Sequence, residues 1–184
     1  MTDVLIDDDA RSEAVLHALQ RGDFSLLEPA FTRSGSEEPA IMRWCREGRF
    51  DRHPDELAEA LTCACFLGAL ETAEFLLGRG VDAVGGDGTG LNAFHWAANR
   101  GQLGSVQLLL RHGALLEVRN AYGGTVLGGA VWAAVHEPKP GHLAVIEELL
   151  RAGADVSEAE YPSGNADLDA LLARYRRAAP LGEG

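Results

Sequence analysis

Three groups of residues in this 184-residue chain are of types that do chemistry. His136, Glu137 and His142 flank a proline-bearing stretch, Glu137-Pro138-Lys139-Pro140, and two imidazoles with a carboxylate could ligate a transition metal. Structural zinc sites close with about four ligands, so a metal site in the 136–142 loop is the weaker alternative. Cys45, Cys63 and Cys65 could be nucleophiles or thiolate ligands. Cys63 and Cys65 lie two apart on one predicted helix, point in different directions and lack the spacing of a zinc knuckle. Cysteine packs readily into cores, and that is the expected role of all three. Gly85-Gly86-Asp87-Gly88-Thr89-Gly90 has the glycine density of a phosphate loop but lacks its Lys-Ser/Thr ending. It reads instead as a turn needing positive φ. Neither Gly-x-Ser-x-Gly nor His-Glu-x-x-His occurs. The expectation is a protein that is not an enzyme, with no catalytic residues, no cofactor and no metal.

The elements around these residues repeat. Gly68 and Gly101 are 33 residues apart, as are Gly80 and Gly113. Both landmarks return 40 residues later at Gly141 and Gly153, the same interval plus an insertion of seven. A period of this size marks a stack of one supersecondary unit. Within a unit, Phe94, Ala97 and Ala98 give one apolar helical face, and the alanines admit a close second helix. Gly101 is placed to end that helix in a left-handed conformation. Val106, Leu109 and Leu110 repeat the spacing on the second helix, which His112-Gly113 closes. About ten polar, glycine-rich residues follow, which suit an extended finger with a tight turn.

This pattern resembles the ankyrin repeat. Asp87, Gly90, Phe94, His95, Ala97, Ala98, Gly101, Val106, Leu109, Leu110, Gly113 and Ala114 match or conservatively replace the family motif. The next copy matches at Gly123, Thr125, Leu127, Ala130, Gly141, His142, Leu149, Leu150, Gly153, Ala154 and Asp155. The resemblance implies an all-α solenoid of paired helices and finger turns, with four to five units, three of them regular. It also implies that His95 is structural, bonded to neighbouring backbone. There are departures. Asn92-Ala93 replace the family's Thr-Pro, and Gly128 stands where it has His, so the first helix of that unit should be weak by about 1 kcal/mol relative to Ala. The inserted residues fall between Ala130 and Gly141 and are expected in the loop joining the helices, with Trp132 and His136 on a lengthened helix.

The domain reading follows. Residues 1–9 are expected to form an acidic, disordered tail and 10–178 a single repeat domain. Within it, 10–53 is irregular, 54–86, 87–119 and 120–159 are regular units, and 160–178 carries a capping helix. Residues 179–184 are expected to form a flexible tail. Pro54-Asp55-Glu56 should start a helix, with acids in its first turn. Asn165 should cap the last one, with Leu168, Leu171, Leu172 and Tyr175 on one face.

Apolar content of 46% supports a continuous core, and the formal net charge is −12. No secretory leader is evident, the cysteine count is odd and no run is long enough to span a membrane, so a cytoplasmic protein is expected. Nucleic acid is an unsuitable partner for a chain without concentrated positive charge. The ankyrin resemblance implies instead a protein partner, held on the concave face of fingers and inner helices. The positions it marks are Phe66, Leu67, Trp96, Asn99, Arg100, Arg119, Tyr122, Trp132, His136 and Tyr161. Tyr122 and Tyr161 should be exposed, Trp44 core, and Trp96 and Trp132 open to either role. The expected function is a non-enzymatic adaptor or inhibitor, monomeric, with a partner whose surface could be basic. An antidote-type protein neutralising a basic enzyme or toxin is the alternative reading.

Overall fold

The computed structural model describes residues 8–178. Among these residues all regular structure is helical. The α-helices are α1 (Asp8–Gln20), α2 (Glu28–Phe31), α3 (Ala40–Arg46), α4 (Pro54–Leu67), α5 (Leu70–Gly78), α6 (Ala93–Asn99), α7 (Leu103–Arg111), α8 (Val126–His136), α9 (His142–Arg151) and α10 (Ala166–Ala178). A short 3-10 helix spans Val156–Glu158. The chain divides between Ala93 and Phe94 into two compact units.

In the first unit, α4 and α5 form the regular pair. Pro54 sits in the first turn of α4 with Asp55 and Glu56, and Gly68 ends the helix at φ 71°. α1 packs on α4, α2 on α3, and α3 on α5. Trp44, Phe31, Phe50, Leu19, Ile41, Leu61 and Leu76 are fully buried, each contributing about 1.5–3 kcal/mol or more by leaving water. The irregular N-terminal segment is tied to this core by a buried bond, in which Thr72 Oγ1 donates to the Phe31 carbonyl at 2.7 Å. Of the tail expected over 1–9, Asp8 and Asp9 belong to α1. Asp8 accepts from Arg43 and from the Trp44 indole N–H at 3.1 Å, and Asp9 pairs with Arg49. Residues 1–7 and the tail expected over 179–184 lie outside the described residues.

In the second unit, α7, α8 and α10 all pack on α9. Phe94, Val106, Leu108, Leu109, Leu127, Val145, Ile146, Leu149, Leu168 and Leu172 form its core. α10 begins as expected, with Asn165 Oδ1 accepting from the N–H groups of Asp167 and Leu168 at 3.1 and 3.2 Å. Tyr175 is only half-buried.

Two glycine readings change. The weak first helix expected around Gly128 is continuous: α8 runs eleven residues, N-capped by Thr125 Oγ1, which accepts from Gly128 N–H at 3.1 Å. Part of the insertion extends α8 to His136, and residues 137–141 alone form the loop, because Pro138 cannot continue the helix. Gly141 does not end a helix as Gly68 does. It precedes α9 at φ −81°, where any residue is comfortable. Its requirement is space, since a Cβ there would stand 2.1 Å from the Gly101 carbonyl oxygen.

Candidate protein-binding surface

Each finger is fixed to the helix behind it by a different device. In the first unit, Thr62 Oγ1 donates to the Gly86 carbonyl at 2.9 Å, and Glu59 Oε1 accepts from Gly88 N–H at 2.7 Å. The glycine run 85–90 is therefore anchored turn backbone, and Gly86 lies so close to α4 that a Cβ would meet the Ala58 oxygen at 2.4 Å. Burial, with the Asp87 charge adding to it, pushes the Glu59 carboxyl above its ordinary range.

In the second unit His95, one repeat after Thr62, does the corresponding work. Its Nε2 lies 3.3 Å from the Gly124 carbonyl and donates to it, and the backbone at Gly124 and Val118 favours a proton on the ring. Burial lowers its pKa and favours the neutral ring, which outweighs that pull. One repeat further, Gly128 leaves a gap that backbone fills directly. The Glu158 carbonyl oxygen lies 3.0 Å from where a Cβ would stand, so the 3-10 segment rests on the first turns of α8.

These anchors set the exposed side chains. Asn120 Oδ1 accepts from Tyr122 N–H at 2.9 Å and Gly124 N–H at 3.0 Å, closing the finger turn and leaving Tyr122 80% exposed at its tip. Arg119 forms a two-pronged pair with Glu158, at 2.8 and 3.1 Å, and also donates to the Gly123 carbonyl. It joins two successive fingers. Trp132 follows Gly128 by four residues on the same face of α8, is 50% exposed, and packs at a 39° tilt against the His136 ring, 4.8 Å between centroids. Tyr161 is exposed, with the Arg176 guanidinium 5.0 Å above its ring.

The other marked positions lie deeper. Trp96, Asn99 and Arg100 are half-buried, and the Asn99 carbonyl accepts from His142 Nε2 at 2.7 Å. In the first unit, Phe66 and Leu67 are half-buried, and the Phe66 ring lies 5.8 Å from that of Phe24. Sequence reasoning missed Glu59 and Glu158. Glu59 was detectable as a charge on an apolar helix, at the repeat position held later by Asn92 and Thr125. Glu158 had no such signal, because its role depends on where Arg119 reaches.

The alternative chemistry is not assembled. His142 is buried, with Nδ1 accepting from Lys139 N–H at 3.1 Å and Nε2 donating to Asn99, so neither nitrogen faces a ligand. Among the described residues no three His, Cys, Asp or Glu side chains gather as metal ligands. Cys45 and Cys63 are buried, and burial pushes the Cys45 thiol up to about 11 and Cys63 further. A thiol held protonated is a poor nucleophile. A cleft of about 370 Å³ opens in the first unit beside Arg11, Arg33 and Arg43. Arg33 and Arg43 are already paired there, with Glu71 and Asp8.

Helix pairs at a fixed interval, each followed by a finger tied back to its inner helix, point to one family. The family described as ankyrin repeats (3 copies) matches residues 61–160. The chain belongs to the ankyrin-repeat family. Ankyrin repeats are protein–protein interaction modules, and this places the chain in that broad class. A relative in Oryza sativa subsp. japonica, named a probable E3 ubiquitin-protein ligase XBOS33, is 36% identical over 108 residues. The match covers 52% of this chain but 19% of that protein. The ankyrin-repeat chain thus spans about a fifth of its relative's length. No helix among its described residues is long and apolar enough to cross a membrane.

Proposed function

We propose that this ankyrin-repeat protein is a non-enzymatic interaction module, an adaptor or inhibitor, that binds a partner protein on the finger and inner-helix side of its second unit. One observation carries the reading: Trp132 and Tyr122 are held in solvent, 50% and 80% exposed, on backbone that is itself anchored. Exposed Trp and Tyr on anchored backbone are residue types that dominate binding energy, because each covers a large area at the entropy cost of only two side-chain torsions. The −12 charge favours a partner with a basic surface, which suits an inhibitor or antidote of a basic protein.

The test is capture of partners on the immobilised chain, followed by titration of the purified partner into wild type and into Trp132→Ala with Tyr122→Ala. A loss of about tenfold or more in affinity, corresponding to about 1.4 kcal/mol, is expected from the double variant. Equal affinity for wild type and double variant would remove this surface from the function.

A further inference from the structure

We infer that the surface along α8 takes an extended segment of the partner that carries arginine or lysine, with one cation stacked on Trp132. The inference rests on the protein-binding reading above and names the chemistry of its occupant.

The two fingers of the second unit, 114–125 and 154–165, carry Glu117, Asp155, Glu158 and Glu160 against one cation, Arg119. That cation is already paired with Glu158. The 3-10 segment bearing Glu158 lies directly on α8 at Gly128, one turn before the half-exposed Trp132, so the indole and this net-acidic finger belong to one stretch of surface. Glu137 follows at the end of the same helix. The protein's own contacts show how a cation sits here. Arg176 lies 5.0 Å above the Tyr161 ring while donating to the carbonyls of Val156 and Ala159 at 3.3 and 3.5 Å. A guanidinium therefore finds an aromatic face and backbone acceptors together on this finger. Trp132 is the better aromatic for a cation, and it is only half-covered. An acidic segment would be repelled by the net negative charge of these fingers, and a purely apolar one would offer it no counter-ion.

The test uses a library of random 12-residue peptides displayed on phage and selected on the whole immobilised chain, with each survivor then measured on wild type, Trp132→Leu, Tyr122→Ala and Glu160→Gln. All three substitutions are at exposed positions, and a melting curve confirms that each variant folds. Survivors enriched in arginine and lysine are expected. Their binding should weaken about 2- to 30-fold in Trp132→Leu, the range of a cation–aromatic contact, and should weaken in Glu160→Gln and at about 1 M salt. Survivors that depend on Trp132 but are acidic or uncharged would overturn the basic occupant and leave the protein-binding surface standing. No survivor sensitive to Trp132→Leu or to Tyr122→Ala would overturn both.

Discussion

The close approach of Gly101 and Gly141 can be tested by adding one methyl group. In Gly141→Ala the new Cβ would stand 2.1 Å from the Gly101 oxygen and 3.0 Å from its carbonyl carbon, where ordinary contact begins near 3.4 Å. The deficit is about 1.3 Å, and both partners are backbone, so no side chain can rotate away. Relief requires α9 to shift from the Gly101 turn. That turn accepts Leu103 N–H at 3.1 Å through the same oxygen, and the adjacent Asn99 carbonyl holds His142 at 2.7 Å. Overpacking of this kind costs about 1–3 kcal/mol, and weakening one or two hydrogen bonds adds about 1 kcal/mol each. The reduced freedom of the unfolded chain returns about 0.4–1 kcal/mol. A net loss of about 2–3 kcal/mol is expected, or a fall in Tm of about 4–12 °C for a chain of this size. Gly129→Ala is the control. It lies within α8 with nothing within 4 Å of the new Cβ, so it should stabilise by about 1 kcal/mol through helix propensity. Urea unfolding followed by circular dichroism measures both, with amide exchange in α8 and α9 reporting the second unit separately. If Gly141→Ala unfolds within about 0.5 kcal/mol of wild type, the contact is not as close as described and the reasoning fails.

Gly128→His would restore the family's residue and improve helix propensity, yet it should destabilise by about 1–2 kcal/mol because the Glu158 carbonyl fills that space. A rise in Tm would contradict the direct packing of the 3-10 segment on α8. Glu59→Gln should change the pH dependence of unfolding. The folded carboxyl titrates above its ordinary value of 4.5, so the stability gained from its neutral form is full below that value and lost as pH rises through the folded pKa. The variant should match wild type near pH 4 and exceed it at pH 7, and parallel curves would show that Glu59 is not strained by burial. His95→Gln should lose stability at pH 7, by about 1–3 kcal/mol, because it breaks the tie to the Gly124 carbonyl and the packing of the buried ring. The folded His95 titrates below its ordinary 6.5, so wild type loses stability as pH falls below 6.5 and the gap between the two should narrow there. A gap that widens on acidification would reverse the assigned cause.

The helix pairs were legible because their signals are local and periodic. Phe94, Ala97 and Ala98, then Val106 and Leu109, are fully buried where the spacing placed them. Gly68 and Gly101 adopt the left-handed conformation expected of helix-ending residues. Gly141 resembled them in sequence but is small for another reason, a backbone neighbour forty residues away that no local pattern encodes. Gly128 is a similar case: propensity alone called its helix weak, whereas tertiary packing supplies the missing support. Exposure of Tyr122 follows from the Asn120-Ala121-Tyr122-Gly123 turn and could be anticipated. The engagement of Arg119 with Glu158 could not, because it joins two fingers whose separation in space is set by the helices between them.

Amide hydrogen exchange of the chain with and without its purified partner bears most directly on the function. Protection on binding is expected in three stretches of the second unit: the finger at 119–124, α8 through Glu137, and the segment 155–161. Protection confined to α1, α2 and α3, beside the Arg11 cleft, would contradict the assignment and move the binding surface to the first unit.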